Sequence, residues 1–107
     1  MKARLMPAAA LAAVCLAPAQ PAAAYVCAVS PKGDTLILKT DNPYAEPAVC
    51  TVTCRFAGPD ARLTTVTCKQ HVPPSAKGWY VCLRPTGGRL FKPAGGSEKC
   101  VKERGPQ

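Results

Sequence analysis

The sequence has one histidine, His71, and only six carboxylates: Asp34, Asp41, Glu46, Asp60, Glu98 and Glu103. A cysteine or serine nucleophile would have a single candidate base, and a triad needs that base oriented by a third group. Its neighbours are Gln70 and Pro73-Pro74, with Ser75 the nearest serine, so His71 reads as a solvated loop residue. The carboxylates fall in turns and tail, without the close pairing that acid/base hydrolysis uses. Gly87-Gly88 and Gly95-Gly96 read as loop, with no helix behind them to cradle a phosphate. No enzymatic activity and no cofactor are expected.

Helical periodicity is also missing, and twelve prolines with eight glycines work against helices. No apolar run reaches the roughly 20 residues of a membrane-spanning helix. The longest, Leu5 to Ala17, follows Lys2 and Arg4 and is bounded by Pro18, Gln20 and Pro21, with three alanines after them. That order is a secretory signal peptide of residues 1–24, cut after Ala24, with one mature domain at 25–107. Cys15 at the end of the apolar run offers an alternative, a lipid anchor, although Val14 is not the small residue that a lipidation signal prefers before its cysteine. The Ala-rich leader points to bacterial export, periplasmic or secreted, with no transmembrane helix in the mature form.

A Cys-x-x-Cys redox pair is absent too, which excludes a thioredoxin-like centre. The six cysteines beyond the leader are Cys27, Cys50, Cys54, Cys68, Cys82 and Cys100. An even number in a short exported chain implies a disulfide framework, and a domain this small needs such staples to supplement its core.

Along AVCTVTCRF, Ala48, Cys50, Val52, Cys54 and Phe56 alternate with Val49, Thr51, Thr53 and Arg55. This is a strand with its cysteines on the buried face. Residues four apart in a strand lie about 13 Å apart, too far for a disulfide and poorly placed for one zinc ion. No metal site is expected, and each cysteine must find its partner elsewhere. LTTVTCK follows across the turn AGPDA. Pairing Phe56 with Arg62 sets Cys50 opposite Cys68, so Cys50–Cys68 is the favoured bridge. Cys82–Cys100 would then pin the Gly/Pro-rich segment between them, leaving Cys27–Cys54 by elimination.

YVCAV, TLILKT and WYVCLR read as further strands, with Trp79, Val81 and Leu83 on one side and Tyr80, Cys82 and Arg84 on the other. RLFK adds a short edge strand, and PAGGSEKCVKERGPQ reads as a C-terminal tail pinned at Cys100. The expected fold is all-β, a small disulfide-stapled β-sandwich or open barrel. The strand spacing over residues 35–83, with DNPY and HVPPSAKG, resembles small immunoglobulin-like sandwich modules of exported bacterial proteins. The Cys…Trp…Cys order of true immunoglobulin domains is not present, and the resemblance implies a fold and no function.

Charge is uneven. Residues 25–107 hold twelve Lys and Arg against six acids, a net charge of +6, and the excess lies after Cys68. Lys77, Arg84, Arg89 and Lys92, interleaved with Trp79, are the candidate contacts to an anionic surface. The leading expectation is a non-enzymatic binding or accessory module whose partner the sequence does not name, a protein or an anionic envelope polymer. The alternative is a cationic effector that binds an anionic envelope polymer. Nucleic acid is a poor candidate partner for an exported chain. A third reading, a protease inhibitor, would offer Lys77 on the HVPPSAKG loop.

Overall fold

The computed structural model describes residues 24–103. The leader reading, including Cys15, falls outside the described residues. Six strands follow in order: β1 (Tyr25–Val29), β2 (Thr35–Thr40), β3 (Ala48–Ala57), β4 (Leu63–Val72), β5 (Trp79–Pro85) and β6 (Lys92–Lys102), with no helix among the described residues. All pairings are antiparallel, and they form two three-stranded sheets ordered β1-β2-β5 and β4-β3-β6.

The central strand of each sheet explains why the two pack together. Ala48, Cys50, Val52, Cys54 and Phe56 of β3 are fully buried, as are Leu36, Leu38 and Thr40 of β2. Each strand thus presents one apolar face, which only a facing sheet can cover. The core joins Leu36, Leu38, Val52, Phe56 and Val81 around the cysteines. The Tyr25 hydroxyl donates to the Gly96 carbonyl at 2.7 Å, holding β1 over β6. On the other flank Cys68 of β4 bonds Cys82 of β5, with Cα atoms 6.2 Å apart. The expected all-β, disulfide-stapled sandwich is the observed one.

Two of the three expected bridges are replaced. Cys27 does bond Cys54, from β1 across the core to β3. Cys50, however, bonds Cys100 on the adjacent strand β6, and Cys68 bonds Cys82. The cause is register. The backbone N–H of Gly58 donates to the Arg62 carbonyl at 2.9 Å, which aligns Ala57 with Leu63 and places Cys50 opposite Gln70. The true register is two residues from the expected one. A slip of two keeps every side chain on its expected face while changing every partner.

The segment expected as a pinned tail is β6, an eleven-residue strand hydrogen-bonded to β3. Gly95 and Gly96, read as loop, lie inside it at an irregularity opposite Arg55. Gly95 has φ +112°, open to glycine, and the Arg55 guanidinium lies 2.9 Å from where a Cβ would stand. A second irregularity, beside Leu38 and Lys39, breaks the expected alternation of β5. Trp79 and Cys82 pair with the inward residues Thr40 and Leu38, while Val81 is buried as well. An extra residue in one strand of a pair produces this bend.

Candidate functional site

The five residues singled out as anionic-surface contacts do not form one patch. Trp79 begins β5 and Pro85 ends it, so side chains at its two ends stand about 20 Å apart along the strand. Lys77 and Trp79 sit at the end where Asp41 accepts the Gly78 backbone N–H at 2.7 Å. Arg84, Arg89 and Lys92 belong to the other end. There Arg84 and Arg89 line one crevice with Phe91, and Lys92 lines a neighbouring depression with Phe91 and Leu90. Lys77 is exposed, on a loop held by the Asn42 N–H to the Ala76 carbonyl.

A different set of cations shares a surface. The odd residues of β3 point away from the core, and their register partners on both sides point with them. Thr51 is flanked by Lys69 of β4 and Lys99 of β6. The next row is Thr67, Thr53 and Ser97, in which the Thr53 and Thr67 hydroxyls lie 3.1 Å apart. The row after that sets Arg55 beside Thr65. The middle of this sheet's outer face is therefore a run of hydroxyls flanked by Lys69, Lys99 and Arg55, with Lys92 opposite Ala57 at one end and Val49, Val101 and His71 at the other.

Strand spacing puts the Lys69 and Lys99 backbones about 10 Å apart, with Arg55 about 13 Å further along. Repulsion between charges at that separation is largely screened at physiological ionic strength, where the Debye length is about 8 Å. None of the three has a carboxylate partner among the described residues. At the end of this face Glu103, just past β6, is hydrogen-bonded to His71. His71 thus stands near the end of β4, solvent-exposed as expected but in a strand and hydrogen-bonded to Glu103, where a loop residue was expected.

Arg55 and the two lysines escaped the sequence reading for separable reasons. Arg55 was visible as an outward residue of an alternating strand, but its region is balanced in charge. Lys99 lay in what read as tail, so nothing placed it beside Thr51. Alternation did mark Thr51 and Thr53 as outward, and that signal would have found the hydroxyl field.

The remaining carboxylates are engaged locally. Asp34 accepts from the Ser30 and Thr35 hydroxyls, which hold its pKa below the usual value. Asp60 pairs with Arg62 and Glu46 with Lys102. Glu98, at the inward position opposite Val52, has its pKa raised by burial. Among the described residues no three His, Cys, Asp or Glu side chains group as metal ligands. No protein-family model, curated protein or solved structure matches the chain.

Proposed function

We propose that this chain is an exported, non-catalytic binding module that holds an extended anionic polymer against the outer face of the β4-β3-β6 sheet. The observation that carries this reading is the row Lys69, Thr51, Lys99, two unpaired ammonium groups astride a hydroxyl on a stapled sheet. Cations at fixed spacing suit a polymer with repeating phosphate, sulfate or carboxylate groups, and hydroxyls between them suit its sugar or polyol links. Two of the three disulfides join the sheets, so the face is preorganised and little ordering cost falls on binding. Disulfides belong to an oxidising compartment. The leader pattern assigns that compartment to the bacterial periplasm or exterior, with a lipid anchor at Cys15 as the variant that would keep the module at a membrane surface. A non-catalytic role is supported by the local engagement of His71 and of Asp34, Glu46, Asp60 and Glu103.

The test is binding of the oxidised chain to heparin, as a model anionic polymer, with neutral dextran as control. Three cations engaging a polyanion imply a slope of roughly −2 in log affinity against log salt, by analogy with single-stranded nucleic acid. Affinity should fall about 15-fold between 50 and 200 mM salt, as that slope requires. The pair Lys69→Glu and Lys99→Glu should abolish retention. Equal retention on dextran, or none on heparin at low salt, defeats the reading.

A second reading rests on the outer face of the β1-β2-β5 sheet, where Val26 and Tyr80 flank Lys39 and Leu83 stands beside Ile37. The Lys39 ammonium lies 5.3 Å from the Tyr80 ring centroid, and Val26, Tyr80 and Leu83 are 42%, 57% and 51% exposed. A largely apolar patch with one lysine held over an aromatic ring suits a protein partner. Binding there would persist as salt rises.

A further inference from the structure

The sandwich is open on the flank where β4 and β5 are both edge strands. A crevice of about 460 Å³ enters between them at the end away from Trp79, within the size range of small-molecule sites. Its floor is the buried Leu36, with Val66 of β4 on one wall and Phe91 at the end. The Cys68–Cys82 bridge, two residues deeper along both strands, fixes the gap between the walls.

Two arginines, Arg84 and Arg89, line the crevice as well. Arg84 is placed by its register opposite Leu36, and its guanidinium donates one N–H to the Leu83 carbonyl at 3.1 Å, leaving its other donors for a ligand. Arg89 is placed by a tight turn in which its N–H donates to the Thr86 carbonyl, with Gly87 and Gly88 both at positive φ, 68° and 83°. Such a turn needs residues free to adopt that conformation at both central positions. Thr86 is itself buried and anchored, its hydroxyl donating to the Gly33 carbonyl at 2.9 Å. Neither arginine has a carboxylate partner among the described residues. The loop carboxylates Asp34 and Asp60 are occupied by Ser30, Thr35 and Arg62.

We infer that this crevice binds a single-chain anionic amphiphile, its hydrocarbon against Leu36, Val66 and Phe91 and its carboxylate or phosphate head between Arg84 and Arg89. An apolar trough alone would take any hydrocarbon, and the two arginines alone any small anion. Their junction selects a molecule that is both. Guanidinium forks also match carboxylate and phosphate oxygens in geometry. This site is separate from the hydroxyl and cation face of the other sheet, and it does not rest on the polymer reading.

The experiment is calorimetric titration of the oxidised chain with decanoate below its micelle concentration. Acetate, decanol and decyltrimethylammonium serve as comparisons, and phosphatidylglycerol vesicles as the membrane arm. Monomeric decanoate should bind at least tenfold more tightly than each of the three comparison molecules. Combined Arg84→Gln and Arg89→Gln should weaken it at least tenfold, and so should Val66→Gln, which leaves both arginines in place. Intact mass showing three disulfides, together with a cooperative thermal transition followed by circular dichroism, checks that each variant has folded. Decanoate binding unchanged in both variants overturns the inference. So does association with vesicles in the absence of monomer binding, which would make the arginines a membrane contact. Loss of decanoate binding with heparin binding intact separates this site from the polymer face.

Discussion

Cys50 and Cys100 stand directly opposite each other on β3 and β6, with Cα atoms 4.0 Å apart, so their bridge ties neighbours within one sheet. The other two bridges tie sheet to sheet. The three also differ in the chain they enclose, with sequence separations of 50, 27 and 14 residues. If disulfides act mainly by restricting the unfolded chain, the bridge closing the longest loop stabilises most. Replacing Cys50 and Cys100 by alanine should then cost about 4 kcal/mol, against about 3 kcal/mol for Cys68 and Cys82. Denaturant unfolding of the two double variants measures both. The reverse order would show that crosslinking the sheets matters more than loop length.

Part of this framework was legible in the sequence, and its limits are physical. Period-two alternation fixed which residues of β3 face inward, because a strand has only two faces. The same alternation cannot distinguish registers that differ by two, so Cys50 could be set opposite Cys68 as readily as Gln70. Backbone hydrogen bonds around Gly58 and Arg62 decide that choice, and composition does not report them. β6 was missed because Pro93, Gly95 and Gly96 carry the composition of a loop. Its pairing with the strongly alternating β3 overrides that weak local preference. The row of Lys69, Thr51 and Lys99 was hidden for the same reason, since Lys99 stands on β6.

Gly96 gives a sharp test of that strand placement. A Cβ there would lie 2.5 Å from the Thr53 carbonyl oxygen, 2.8 Å from Cys27 Sγ and 3.2 Å from the Tyr25 ring. The first neighbour is backbone and the second is tied in a disulfide, so neither gives way easily. Gly96→Ala should therefore cost about 3 kcal/mol, as overpacking in a fixed environment does. Gly58→Ala, whose nearest neighbour would be Phe91 at 3.4 Å, should stay within about 1 kcal/mol for want of a comparable clash. Thermal unfolding of the two variants settles the comparison, and equal losses would refute the close approach.

Asn42 carries the DNPY segment for a structural reason. It is 1% exposed, and its side-chain amide donates to the Glu46 and Pro73 carbonyls, each at 2.9 Å, while its Oδ1 accepts from the Tyr44 N–H. One side chain thus closes its own turn and ties it to the end of β4. Asn42→Ala would leave several buried backbone groups unpaired and should cost about 3 kcal/mol. Asn42→Asp keeps the acceptor but loses the donors, so it should be no milder. A near-neutral Asn42→Asp in urea unfolding would show that the donors contribute little.

Glu98 predicts the direction of the pH dependence. It occupies an inward position on the edge strand β6, opposite Val52, with no ion-pair partner among the described residues. Charges turned inward on edge strands discourage further strand addition. Burial raises its pKa above the ordinary 4.5, so the folded chain holds this proton more tightly than the unfolded chain. The associated stability is complete below 4.5 and is lost as pH rises through the raised value. Asp34 works in the opposite sense. Its pKa is lowered from 3.8 by the Ser30 and Thr35 hydroxyls, so its contribution is present above 3.8 and disappears as pH falls through the lowered value. Glu98→Gln should accordingly raise the Tm at pH 7 and leave it nearly unchanged near pH 4, where the native carboxyl is already protonated. An equal gain at both pH values would place the benefit in the shape of the side chain, and the ionisation argument would fail.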